Sequence, residues 1–256
     1  MPAPTLVTGA PCWIDLYSTD TDKATAFYRD LFGWNAEPPE EGFGGYFTFT
    51  KDGRHVGGCM RNEGEQGLPD AWGVHLLTDD VEAVAKATPE HGGSVAFEPM
   101  VVGENGSSTL VKDPGGAMVG AWQPNQMKGF EVTGEPGTPA WFELHTRAYE
   151  PAVAFYRDVF GWDTHVVSDT DEFRYTTLGE GESQVAGIMD DSPYPGDESG
   201  YWAVYFAVPD ADAAIARIEE LGGSVVRPAE DTPYGRLATV LDPTGTRFRL
   251  MGPNNS

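Results

Sequence analysis

The chain has 256 residues, 40% of them apolar, and a net charge of −24. A chain of this length holds one large or two ordinary domains and buries roughly 70% of its unfolded surface without disulfide staples. So acidic a composition excludes nucleic acid and anionic membrane surfaces as partners, since both need a basic face.

In chain order, the opening MPAPTLVTGA has no charged leader followed by an apolar run, and no stretch reaches the roughly 18 apolar residues a bilayer span requires. With two cysteines, Cys12 and Cys59, that form neither a CxxC pair nor a zinc spacing, this predicts a cytoplasmic protein. A strand is expected over Trp13 to Tyr17, then an amphipathic helix over Thr21 to Phe32 with Asp20 as N-cap and Gly33 as the left-handed residue that ends it. Alternation in Tyr46-Phe47-Thr48-Phe49 and the run ending at Met60 read as strands. A second β-α-β pattern follows: a strand over Trp72 to Thr78, a helix from about Asp80 to His91 that stops at Gly92-Gly93, and three strands, the last two joined by Asp113-Pro-Gly-Gly116.

The same order then repeats. Pro11-Cys-Trp-Ile-Asp-Leu and Ala26-Phe-Tyr-Arg-Asp-Leu-Phe-Gly-Trp34 return as Pro139-Ala-Trp-Phe-Glu-Leu and Ala154-Phe-Tyr-Arg-Asp-Val-Phe-Gly-Trp162 without a gap. Strands are expected over Trp141 to His145, Arg174 to Thr177 and the run ending at Met189. Helices are expected over Pro151 to Phe160, with Pro151 in the first turn, and from Asp210 to Leu221 after the strand Trp202 to Val208. Asp242-Pro-Thr-Gly245 matches the earlier turn. A Gly- and Pro-rich stretch separates the copies. The reading is a first domain at 1–124, a linker at 125–138 and a second domain at 139–256, an α+β tandem repeat.

A strand, a helix closing on Phe-Tyr and Gly-Trp, and an Asp-Pro-x-Gly turn before the last strand, all present twice, resemble the glyoxalase / bleomycin-resistance / extradiol-dioxygenase (vicinal oxygen chelate) superfamily. The resemblance covers nearly the whole chain. It implies two βαβββ units per copy, curled into a cupped mixed sheet with the ligand in the cup, and a monomeric pseudo-dimer or a homodimer. Whether each cup draws both units from one copy, or Trp13 and Asp15 share a cup with Tyr205 and Arg249, stays open.

Metal-dependent members of that superfamily hold one divalent ion with His, Gln or Glu on three strands. Counted from the landmarks, the matching positions here are Trp13, Gly73 and Gly120, then Trp141, Ala203 and Arg249. None offers a lone pair suited to a divalent ion, and arginine carries only donors. No metal or other cofactor is therefore expected, although a displaced iron, zinc or manganese site on Asp15 and His75, or on Glu143 and His145, is the competing idea.

Strand alternation turns Ile14 and Leu16 toward the helices and Trp13, Asp15 and Tyr17 toward the cup. His75 and Trp122 join them, and this aromatic, lightly polar set is a candidate ligand site. The second cup holds Trp141, Glu143, His145, Tyr205 and Arg249. Buried Glu143 needs a partner, and Arg249 is the candidate. Two functions follow: a metal-independent binder of a small, aromatic molecule, resembling the antibiotic-sequestering branch, or a glyoxalase-like enzyme in which Glu143, His145 or Tyr205 moves protons and Arg249 steadies an anion. A third idea makes the first copy scaffold alone.

Overall fold

The structure, a computed structural model, describes residues 7–39, 42–64, 69–194 and 199–255. The first six residues, part of the stretch read above for a leader, lie outside the described residues. The first copy runs β1 (Pro11–Ser18), α1 (Thr21–Phe32), β2 (Asn35–Ala36), β3 (Phe47–Lys51), β4 (Arg54–Arg61), β5 (Ala71–Leu77), α2 (Val81–Glu90), β6 (Ser94–Val102), β7 (Gly106–Lys112) and β8 (Met118–Pro124). The second runs β9 (Pro139–Thr146), α3 (Tyr149–Phe160), β10 (Thr164–Asp169), β11 (Arg174–Leu178), β12 (Ala186–Asp190), β13 (Tyr201–Ala207), α4 (Ala211–Glu220), β14 (Ser224–Thr232), β15 (Gly235–Leu241) and β16 (Arg247–Gly252).

The helix signals act as their chemistry requires. Asp20, Asp80 and Asp210 each accept backbone N–H groups of the first turn, satisfying donors that a helix start leaves open. Gly33 and Gly161 end α1 and α3 at φ 74° and 71°, where a Cβ would be strained. One expectation needs correcting. Helix α3 begins at Tyr149 rather than Pro151, and its cap, Ala148, makes no side-chain hydrogen bond. Pro151 still falls in the first turn, where its missing N–H costs nothing.

Each copy forms one mixed eight-stranded sheet, in the orders β2-β3-β4-β1-β5-β8-β7-β6 and β10-β11-β12-β9-β13-β16-β15-β14. The two βαβββ units of a copy join through the antiparallel pairs β1–β5 and β9–β13. Unit pairing is thereby decided. Trp13 and Asp15 lie beside His75 and Gly73, not beside Tyr205 and Arg249, so each cup draws on a single copy.

The copies meet on their helical sides. Phe32 and Trp34 of the first pack on Phe206 of the second with centroids 5.2 and 5.5 Å apart. The repeated landmarks build this seam. Tyr28 donates to Asp242 Oδ2 at 3.1 Å and receives Trp72 Nε1 at 3.0 Å. Symmetrically, Tyr156 donates to Asp113 Oδ2 at 3.1 Å and receives Trp202 Nε1 at 3.0 Å. The Tyr of each copy's Phe-Tyr pair is thus bonded to the Asp-Pro-x-Gly turn of the other, and Trp34 and Trp162 are buried beside it. Residues 125–138 are also packed: Phe130 and Val132 are buried, and Phe130 lies against both Trp13 and Phe142. Cys12 and Cys59 are buried free thiols in β1 and β4, and burial raises both, Cys59 to about 12.

Candidate functional site

Strand alternation places the candidate residues as expected. Ile14 and Leu16 are fully buried on the helix side of β1. On the opposite face Trp13 Nε1 donates to Asp15 Oδ1 at 3.0 Å and to Tyr46 Oη at 2.9 Å, while Tyr46 Oη donates to the same Asp15 oxygen at 2.9 Å. The other carboxylate oxygen meets His75 Nε2 at 2.9 Å. Burial, then the charge of Asp15, raises the Tyr46 and Tyr17 phenols, so both stay protonated. Tyr17 lies over Gly73, where an added Cβ would come within 3.0 Å of its ring. Trp122 does not join the cluster. It sits farther along β8, opposite Leu77, and donates to the carbonyl of Met127 at 3.0 Å.

The second cup is a denser version. Trp141 Nε1 donates to Tyr175 Oη at 3.0 Å, and Tyr175 Oη donates to Glu143 Oε2 at 2.7 Å. Glu143 Oε1 accepts from Tyr205 Oη at 2.7 Å and from Arg249 Nη1 at 3.2 Å, and lies 2.7 Å from His145 Nε2. His145 Nδ1 meets Asp191 Oδ1 at 2.9 Å, and its ring stacks on Tyr201 at 5.0 Å with planes 5° apart. Arg249 also bonds Tyr205 Oη, and reaches Tyr201 Oη at 3.3 Å. Burial works against the Glu143 charge, but His145, Arg249 and Tyr205 outweigh it and hold its carboxyl down at about 2. Burial likewise opposes the Arg249 charge, and Tyr205, Glu143 and Tyr201 more than offset that. The pairing of Glu143 with Arg249, expected from burial alone, is present.

Four participants were not anticipated: Tyr46, Tyr175, Asp191 and Tyr201. The first two were within reach, because they occupy equivalent places in the repeat and each faces a glycine. An added Cβ at Gly58 would lie 1.9 Å from Tyr46 Oη, and one at Gly187 would lie 2.0 Å from Tyr175 Oη. The glycines of β4 and β12 therefore leave the space through which each tyrosine reaches its acid. Asp191 follows the end of β12 and carries no periodic signal.

The residues do not fit a metal held in the superfamily manner. Cross-strand rows pass through Trp13, His75 and Gly120, and through Trp141, Tyr205 and Arg249. The first row offers one imidazole. Gly120 supplies nothing, and His75 fills its place, since an added Cβ there would lie 2.1 Å from His75 Nδ1. The second row ends in a guanidinium, which repels a cation. The counted positions Gly73 and Ala203 face Asp15 and Glu143 instead. Among the described residues no three His, Cys, Asp or Glu side chains group to hold an ion, and the Glu143–His145–Asp191 run is a chain of pairs rather than a convergent cage.

Two repeated domains with cupped mixed sheets, each lined by a Trp–Tyr–acid cluster, define a tandem vicinal-oxygen-chelate protein. The chain belongs to the Glyoxalase/Bleomycin resistance protein/Dioxygenase superfamily, whose model matches residues 12–120 and again 138–250. It is 38% identical to the anthracycline biosynthesis protein DnrV of Streptomyces peucetius, over 95% of this chain and 93% of that one. It is 36% identical to CFP32 of Mycobacterium tuberculosis, named for a glyoxylase, over 96% and 95%. Among solved structures it resembles the 2,3-dioxygenase LapB of Pseudomonas, at TM-score 0.67 and 12% identity over 98% of this chain and 94% of that one. It also resembles a Mn(II)-bound glyoxalase of Novosphingobium aromaticivorans, at TM-score 0.63 and 19% identity over 95% and 82%. At such identities these two show the fold alone. No helix among the described residues is long and apolar enough to cross a membrane.

Proposed function

We propose that this protein binds a small aromatic metabolite without a metal, chiefly in the second cup. The observation that carries the reading is Arg249. It stands on the strand position that a metal-dependent relative gives to a ligand, and it is tied there to Glu143. Partly exposed Trp141 offers a ring face at the same cup, and stacking on such a face adds about 0.5–1.5 kcal/mol beyond area burial. The relative named for anthracycline biosynthesis accords with an aromatic ligand. The first cup, with Trp13, Asp15, Tyr17 and His75, serves as a weaker site or as scaffold. The sheets lie within the proposed domains 1–124 and 139–256, and the seam between them supports a monomer acting as its own pseudo-dimer. Two buried free thiols agree with a reducing, cytoplasmic setting.

A second reading, a glyoxalase-like enzyme, draws on His145 caught between Glu143 and Asp191. A carboxylate held at about 2 is a feeble base near neutral pH. Proton transfer in that reading would fall to His145, with Tyr205 and Arg249 steadying an anion. Elemental analysis of the purified protein, titration with aromatic ligands by tryptophan fluorescence, and mass spectrometry of the recovered ligand separate the cases. Binding with unaltered ligand and no stoichiometric metal is expected. Iron, zinc or manganese at one per chain would overturn the proposal, and a chemically altered ligand would favour the enzyme.

A further inference from the structure

The two cups differ most on the last three strands of each sheet. Cross-strand pairing runs one row of side chains through Trp13, His75, Gly120, Leu110 and Phe97. The equivalent row runs through Trp141, Tyr205, Arg249, Thr239 and Arg227. One row further on, Met100 lies opposite Ser108, and its counterpart is Glu230. Partners in register share a sheet face, so Phe97, Leu110 and Met100 face the first cup where the second presents Arg227, Thr239 and Glu230. Phe97 and Met100 are each 59% exposed, and no ring among the described residues packs on Phe97. Thr109 Oγ1, on the far face, donates to the Phe97 carbonyl at 2.7 Å and steadies the irregular register there; its counterpart Ala238 has no such donor. Phe43, from the segment before β3, meets Gly103 in the β6–β7 turn, where an added Cβ would lie 3.0 Å from its ring. Because β3 and β6 stand near opposite edges of the sheet, this contact closes the first cup across its width.

We propose that the first cup is a binding site in its own right, for an uncharged aromatic molecule that lies on Phe97, Met100 and Leu110. Strands β6 to β8 carry one cation, Lys112, and one anion, Glu98, whereas β14 to β16 carry four arginines and two acids. Lys112 is exposed at the end of β7, and Asp15 and His75 at the floor are bonded to each other. A charged group entering this cup would lose water with little to replace it. The open ring and thioether offer stacking and sulfur–aromatic contact instead. A second copy of the chain is a poor occupant. Each copy has a net charge of −24, the wall faces inward, and Pro99 removes a donor that edge-to-edge pairing of β6 would need. The class of ligand rests on the metal-free aromatic function given above, while the site is independent of the second cup.

The test uses the full chain and two probes that share one ring system, uncharged N-phenyl-1-naphthylamine and the anion 8-anilino-1-naphthalenesulfonate, titrated by their own fluorescence. The uncharged probe should bind, and Phe97→Arg or Met100→Glu, each installing the second copy's residue, should weaken it about tenfold. Neither substitution should weaken the sulfonate. Both positions are exposed, so the melting temperature should hold; should one variant melt early, the other is read in its place. An uncharged probe bound equally well by both variants would overturn the first-cup site and leave the second-cup reading standing. A sulfonate weakened as much as the uncharged probe would overturn the preference for an uncharged ligand. A chain that sediments as a dimer and is split by Phe97→Arg would mean that a second copy covers the wall, which also overturns the site. So would failure of the uncharged probe to bind at all, and the second cup is then judged by its own titration.

Discussion

Replacing Glu143 by Gln removes one charge from a cluster built to hold it, and the penalty should depend on pH in a way fixed by sign. The carboxyl is lowered from 4.5 to about 2 in the folded protein. A group whose folded value is depressed contributes stability that is present above its unfolded value and is lost as pH falls toward its folded value. A shift of that size corresponds to about 3 kcal/mol at pH 7, at about 1.4 kcal/mol per unit. At pH 3.5 about 2 kcal/mol of this remains, because the unfolded carboxyl is by then mostly protonated. The Gln variant also leaves Arg249 without its counter-charge, which costs about 3–5 kcal/mol in a buried pair. Urea unfolding followed by tryptophan fluorescence, wild type against variant at pH 7 and at pH 3.5, isolates Glu143 from the other carboxyls that titrate in both proteins. The difference should shrink by roughly 1–1.5 kcal/mol on acidification. A difference that is constant or grows would mean that Glu143 is not held ionised by its neighbours, and the electrostatic account of the second cup would fail.

Gly187→Ala should destabilise the protein by about 1–3 kcal/mol, because its Cβ would lie 2.0 Å from Tyr175 Oη; thermal melting checks this, and Gly58→Ala should do the same through Tyr46. Tyr156→Phe deletes the bond to Asp113 across the seam and should cost about 1–3 kcal/mol by leaving a buried carboxylate oxygen and the Trp202 indole short of a partner; a melting temperature equal to wild type would show that the seam does not depend on it. Cys12 and Cys59, buried and raised in pKa, should resist a thiol reagent at pH 8 in the native protein and react in urea, and rapid native labelling would contradict their burial.

Most of the architecture was legible in the sequence because its signals are local. Asp20, Asp80 and Asp210 announce helices through bonds made within one turn, and Gly33 and Gly161 end two of them through backbone sterics. Alternation along β1, β5, β9, β13 and β16 sorted cup from core, so Asp15, His75, Glu143, His145, Tyr205 and Arg249 were identified before their contacts were seen. The start of α3 was misread because Pro151 is a first-turn marker that does not say which position of that turn it holds. Trp122 was misassigned to the ligand cluster because facing the cup is a property of alternation, whereas reaching Asp15 depends on distance along β8.

The order of elements, the duplication and the facing of each strand residue were determined by the sequence itself, since period and side-chain chemistry suffice for them, whereas the counted positions Gly73 and Ala203 fell outside the cross-strand rows, which run through His75 and Tyr205. Tertiary structure alone decided which strands share a cup, because hydrogen-bonded register between distant segments has no local signature. It also decided that the Phe-Tyr and Asp-Pro-x-Gly landmarks bind the two copies to each other, and that Tyr46, Tyr175 and Asp191 complete the acid clusters. Those contacts join residues tens to hundreds of positions apart, and only the folded chain brings them within reach.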